Sequence, residues 1–316
     1  LTEDRSIRFG IRGTVQDVDY EGLAALWRRA EELDYDLVSV PDHFVAVSDD
    51  LTMPTFEGTA MLAALAATTS RIRCLMLVSG VTYRYPGVAA KLAATIDHIS
   101  GGRLEYGVGA AWFGLEHEQY GIPFPSMGER IAMLDEACQI MRALWTEDRV
   151  TFEGTHYRLC EAVAMPKPVQ ARLPLVIGGG GERKMLRLVA RHADVWNFFP
   201  ADAAEYAHKQ ELLRGHCADI GRDDRQIRRS LCFRATLAAT ERGAASKRDA
   251  ERRHLQSRLP VLVGTPEQCI DYLRPFAGLG VEDFLLGALP PYDYETIELI
   301  ATRVVPAIRA VCGEAR

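Results

Sequence analysis

Residues 175–198 read LVIGGGGERKMLRLVARHADVWNF. An apolar run, Leu175–Ile177, enters four consecutive glycines, Gly178, Gly179, Gly180 and Gly181. A helical stretch, Glu182–Ala193, follows, and a second apolar run at Val195–Phe198 closes the unit. Strand, tight turn, helix and strand in so short a segment make a parallel βαβ unit.

The same alternation continues in both directions. Toward the N-terminus, Ile7, Phe9 and Ile11 alternate as a first strand, and Leu23, Leu26, Trp27 and Ala30 keep helical spacing behind a cap at Asp19. Leu37–Val40, Ile72–Val78 and Leu104–Val108 read as the next strands, with helices Thr55–Thr68 and Val88–Ile99 between them. A fourth helix carries Ile131, Leu134, Cys138, Met141 and Trp145 on one stripe, and Val150 to Arg158 reads as a hairpin turning at Glu153-Gly154-Thr155. Toward the C-terminus come a helix Ala203–His216, a strand Ser230–Ala235 and a helix Glu267–Phe276 capped by Thr265 with Pro266 at its first position. Phe284–Leu286 is the eighth strand and Glu295–Val311 the closing helix. Eight βα units without a composition break predict an α/β fold, a (β/α)8 TIM barrel forming a single domain over residues 1–316. Insertions are expected after strands 4 and 7, and a hairpin before strand 5. The charged stretch Glu241–Arg258 reads as a solvated surface helix, with a mobile excursion between strand seven and its helix as the alternative.

The chain has 316 residues, 48% of them hydrophobic and 25% charged, enough to bury a large core. A net charge of -6 disfavours a nucleic-acid partner, which needs clustered cations. Seven scattered cysteines without a C-x-x-C pair predict reduced core thiols. No apolar run is long enough to cross a bilayer, and the polar start lacks a signal-peptide layout, so the cytoplasm is expected. The chain opens at Leu1 without an initiator methionine, and a trimmed start is expected.

In a parallel barrel the chemistry gathers just past the C-terminal ends of the strands. That rule selects Asp42 and His43 after strand two, Gly80, Val81 and Thr82 after strand three, and Gly109, Ala110, Ala111 and Trp112 after strand four. It also selects the glycine run and Asn197. Four glycines before a helix let backbone N–H groups face an anion, a phosphate above all, with Arg183, Lys184 and Arg187 behind them. His43 is either a proton carrier biased by a neighbouring carboxylate or a loop histidine bonded to backbone. Tyr83-Arg84-Tyr85-Pro86 either packs a loop or holds a planar ligand. Gly107-Val108-Gly109 begins like a dinucleotide fingerprint, but Trp112 stands where the third glycine belongs. Glu116-His117-Glu118 is expected in an exposed loop, and no metal site is expected.

Val40-Pro41-Asp42-His43-Phe44, Gly80-Val81-Thr82 with Arg84-Tyr85-Pro86, and Ile99-Ser100-Gly101-Gly102-Arg103 belong to one motif set. Gly107-Val108-Gly109-Ala110-Ala111-Trp112, Tyr120-Gly121-Ile122-Pro123-Phe124, Ile177 to Arg183 and Ala193 to Asn197 complete it. Through these the chain resembles the luciferase-like monooxygenase superfamily, and within it the oxidoreductases that use the deazaflavin coenzyme F420. The resemblance implies a hydride exchanged between coenzyme F420 and a small-molecule substrate, with FMN and O2 chemistry the alternative and a non-catalytic deazaflavin binder a second one. It makes His43 the proton-transfer residue. The ring would contact Asp42, Gly80, Val81, Thr82, Gly109, Ala110, Ala111 and Asn197, and the phosphate would sit on Gly178–Gly181. A cis peptide is expected at Gly80–Val81, and a homodimer as the assembly. Sugar-phosphate dehydrogenases of that branch carry a tryptophan and a glutamate where Val47 and Ala110 stand here. Glucose-6-phosphate is therefore not the expected substrate, and a second acid/base is missing.

Overall fold

The computed structural model describes residues 6–251 and 261–313. Its strands are β1 Arg8–Arg12, β2 Leu37–Val40, β3 Arg73–Gly80, β4 Leu104–Gly109, β5 Val150–Glu153 and β6 Arg158–Ala162. They continue with β7 Leu175–Gly178, β8 Val195–Phe198, β9 Arg228–Leu237, β10 Val261–Gly264 and β11 Asp283–Gly287. Parallel pairing runs β9-β11-β1-β2-β3-β4-β7-β8 and closes through β8 on β9, giving the eight-stranded barrel expected from the sequence. The helices are α1 Tyr20–Glu32, α2 Gly58–Thr68, α3 Pro86–Ser100, α4 Gly114–Tyr120, α5 Met127–Thr146 and α6 Met185–His192. After them come α7 Ala203–Asp219, α8 Glu241–Glu251, α9 Pro266–Gly278, α10 Tyr294–Leu299 and α11 Val305–Gly313.

Local signals account for many of these boundaries. Asp19 caps α1 by accepting from Gly22 N at 2.7 Å, and Leu23, Leu26, Trp27 and Ala30 form its buried stripe. A reciprocal pair, Ser126 with Glu129, starts α5. Several expectations need correction. The closing helix is two helices joined by a π-helical segment, Ile300–Val304. β10 was not anticipated: β9 pairs with β8 through Arg228–Leu231 but with β10 through Arg234–Leu237, so a ninth strand attaches where β8 and β9 diverge. The helix expected from Glu182 begins at Met185, because Glu182 is drawn into a turn tied to α7 by Lys209 and His208. Cys160, expected in the core, is exposed on β6. The excursion after β9 is helical through Glu251, and the rest of its expected span, 252–258, lies outside the described residues.

Alternation along the strands sorts side chains into two layers. Phe9, Ile11, Val38, Val40, Met76, Tyr106, Ile177, Trp196 and Phe284 belong to the core shared with the helices. Leu37, Leu75, Leu77, Val176, Val195, Cys232 and Leu285 meet one another inside the ring. Below them, at the N-terminal ends of the strands, the ring holds ions. Arg8 pairs with Glu105 at 2.6 Å and Asp283 at 2.7 Å, Arg73 with Glu105 at 2.5 Å, and Arg228 with Asp283 at 2.6 Å. Burial opposes ionisation of Glu105, but Arg8 and Arg73 outweigh it and hold the carboxyl down at about 2.

Candidate active site

At the other end of the ring the inward positions are Arg12, Ser39, Val78, Gly109, Gly178, Asn197, Arg234 and Gly287, each following an inward residue of its strand. Val78 is the floor of this mouth. A Cβ added at Gly109 would stand 2.9 Å from Val78 Cγ2, and one at Gly178 3.3 Å from Val78 Cγ1, so glycine at both positions leaves the floor uncovered. The non-proline cis peptide expected at Gly80–Val81 lies at Leu77–Val78 instead. Gly80 stays in the ladder opposite Gly109, and the register of β3 on β4 slips earlier, between Met76 and Ser79. The glycine at 80 has a different cause: a Cβ there would come within 2.6 Å of the Tyr83 ring.

His43 stands at the mouth beyond β2, its ring edge-on to Trp112 at 5.8 Å and Phe113 at 6.0 Å. Its Nδ1 lies 3.0 Å from Glu116 Oε1. Glu116 also accepts from Phe44 N at 2.9 Å and from the Tyr83 hydroxyl. The expectation of an exposed loop at 116–118 is therefore corrected: Glu116 and His117 are both fully buried, on α4. Burial pushes the Glu116 carboxyl up, but the hydrogen bonds from His43, Tyr83 and Phe44 prevail and hold it below the usual carboxylate range. Tyr83 moves the opposite way, raised first by burial and then by Glu116. An ionised Glu116 only accepts, so His43 Nδ1 carries the hydrogen of this bond and Nε2 is the ring nitrogen left free of it. Sequence reasoning did not place this carboxylate beside His43.

Other expected ring contacts are committed to the protein. The Asp42 carboxylate is buried, accepting from Ser79 Oγ at 2.6 Å and from Arg84 at 2.6 and 3.2 Å. Arg84 also bonds Glu57, so the aromatic-flanked arginine packs the loop. Thr82 Oγ1 donates to His117 Nε2 at 2.7 Å, because His117 Nδ1 faces the Phe113 carbonyl, also at 2.7 Å, and must donate there. Val81 N donates to Gly109 O at 2.9 Å, and Ala110 O accepts from Arg130 Nε at 2.9 Å. Ala111 takes a left-handed backbone with φ 57°. Asn197 lies inside the ring, donating to Ser230 Oγ at 2.9 Å, while its buried Oδ1 has no partner.

The glycine run leads from β7 over the rim. Gly179 N donates to Asn197 O at 3.1 Å, and the amides of Gly180 and Gly181 have no protein acceptor among the described residues. Arg183, Lys184 and Arg187 behind them are exposed and make no ion pair among the described residues. A separate groove of about 430 Å³ opens between α3 and the β5–β6 hairpin, lined by Tyr85, Val88, Tyr157 and Val163, away from the mouth.

A parallel barrel with a half-buried histidine held by a buried carboxylate at its C-terminal rim describes the class. Residues 6–260 match the luciferase-like monooxygenase family, and the chain belongs to it. It is 36% identical over 178 residues to an uncharacterized protein of Mycobacterium tuberculosis, a match covering 56% of this chain and 62% of that relative's length. Over 98% of both chains it is 28% identical to an F420-dependent glucose-6-phosphate dehydrogenase of Nakamurella multipartita. The solved structure of an F420-dependent secondary alcohol dehydrogenase in complex with an F420-acetone adduct superposes with a TM-score of 0.83 at 20% identity, covering 96% of this chain and 99% of that one. That likeness establishes the shared fold.

Proposed function

We propose that this chain is a coenzyme F420-dependent oxidoreductase acting on a small organic substrate. The observation that carries the reading is the buried Glu116 orienting His43 beside a glycine-lined floor. The residues present fit such a coenzyme. Val78, left uncovered by Gly109 and Gly178, offers a flat apolar seat for a ring, and the orphaned Asn197 Oδ1 beside it can accept from a ring N–H. The amides of Gly180 and Gly181 suit its phosphate. When bound, the coenzyme supplies two-electron hydride chemistry. His43 Nε2 takes or returns the matching proton at a substrate heteroatom, and Glu116 holds the imidazole in the required tautomer. The full-length similarity to an F420-dependent dehydrogenase supports the choice of coenzyme.

Glucose-6-phosphate is not carried over, because Val47 and Ala110 replace the tryptophan and glutamate of that branch. The family's monooxygenase description favours FMN with O2 as the second reading. The proposal includes a cytoplasmic homodimer, for which the exposed apolar side chains of Tyr85, Val88, Val163 and Met165 offer a face. No helix among the described residues is long and apolar enough to cross a membrane. Equilibrium dialysis against F420 and FMN tests the reading: F420 binds more tightly, and the loaded protein turns over a substrate. Preference for FMN by about tenfold, about 1.4 kcal/mol, overturns the coenzyme assignment.

A further inference from the structure

We propose that the substrate is an organic carboxylate and that Arg12 receives its charge. The proposal rests on the oxidoreductase reading of the same mouth and names the substrate class. Arg12 follows Gly10 on the inward face of β1, where a Cβ at Gly10 would meet Leu37 and Leu285 inside the ring. It is the last residue of β1, in register with Ser39 on one side and Gly287 on the other. Arg12 is half-buried. Its side chain has no ion pair or hydrogen bond among the described residues, and its Nε is buried without a partner. The Phe199 ring lies 5.8 Å from its Cζ. Cys232, the group Arg12 acts on below, offers no counter-charge, because burial pushes that thiol up to about 12 against the arginine's influence.

A buried donor left unpaired costs free energy, and a charged one costs more. A carboxylate resolves this, because its two oxygens match the guanidinium fork. Ser39 Oγ, buried in the next position around the ring and also without a partner, supplies a further donor. Place in the ring distinguishes substrate from coenzyme. β7, which carries Gly178 and leads into the glycine run, lies across the barrel from β1, whereas His43 follows β2, the neighbour of β1. A molecule reaching both His43 Nε2 and Arg12 lies on the side away from the coenzyme's seat.

The test uses the F420-loaded protein with benzoate and hexanoate as probes, each beside its neutral amide, read by absorbance of the bound coenzyme. Both carboxylates bind more tightly than their amides. Arg12→Gln weakens the carboxylates by about tenfold or more, about 1.4 kcal/mol, and leaves the amides and F420 within about twofold. Arg12→Lys, which keeps charge without the fork, falls between and carries the test if the glutamine variant does not fold. Equal binding of acid and amide overturns the proposal, as does an Arg12→Gln loss that falls equally on F420. If F420 does not bind the wild type, the oxidoreductase reading fails instead, and calorimetric titration of the coenzyme-free protein with the same probes decides the role of Arg12.

Discussion

Arg8 and Arg12 sit on one strand, face the same interior and are four residues apart, yet their surroundings are opposites. Arg8 is closed in by Glu105 and Asp283, and those carboxylates are shared with Arg73 and Arg228. Arg12 has no counter-charge among the described residues, and two other inward positions of the rim, Ser39 and Asn197, also carry unpartnered polar atoms. The lower end is complete without a ligand; the upper end is built with vacant donors and acceptors. This division of labour follows from the barrel, whose loops and strand tips at the C-terminal face are free to vary while the opposite face secures the fold.

The largest effect that could break this contrast is at the lower end. Glu105→Gln removes the carboxylate that Arg8 and Arg73 share, leaving Arg8 only Asp283 and Arg73 no counter-charge among the described residues, and should cost about 3 kcal/mol in urea denaturation, with turnover per folded molecule preserved. The Glu105 carboxyl is held at about 2 when folded, below its unfolded value of about 4.3. Its contribution is therefore complete above about pH 5 and lost as pH falls toward 2, so the gap between wild type and variant should narrow over that window. A variant as stable as wild type at neutral pH would mean that the ionic layer is ornamental.

At the upper end, His43→Ala should lower kcat by about a hundredfold with little change in melting temperature. Glu116→Gln, acting through His43, should lower kcat by about tenfold with KM nearly constant, and Glu116→Asp should recover part of it. Unchanged kcat in both His43→Ala and Glu116→Gln would move the proton transfer elsewhere. The smallest effect concerns the rim. Gly181→Asp places its Cβ 3.3 Å from Met185 Cβ, an adjustment the helix can absorb, and should weaken F420 by roughly tenfold through repulsion of its phosphate. Gly180 is the poorer choice, because a Cβ there runs into the Phe198 ring and would disturb the fold itself.

Strand positions were legible because a closed parallel barrel buries both strand faces, so apolar runs stand out against their helices. Leu37–Val40 and Val195–Phe198 have the expected limits. The same property concealed the layer that faces the inside of the ring. Ile7, Phe9 and Ile11 mark one face of β1, and Arg8, Gly10 and Arg12 look like a solvent face until the ring closes around them. Glu116 was missed for a related reason. Three ionisable residues in a row look solvated, and burial comes from partners distant in sequence, His43, Tyr83 and Thr82. A weak local signal existed in the glycines bracketing α4, with Gly121 closing it at φ 65°. The start of α5 was readable from Ser126 and Glu129, whereas β10 depends on the divergence of β8 and β9, which no local spacing encodes.

Trp27, Trp145 and Trp196 are at most 5% exposed, whereas Trp112 is 59% exposed and lies against His43. An indole in water emits at longer wavelength than one in an apolar core, so excitation at the red edge selects this ring from the chain's four tryptophans. The rim thus carries its own optical reporter, and a molecule settling beside His43 changes the colour and lifetime of that emission before any chemistry occurs.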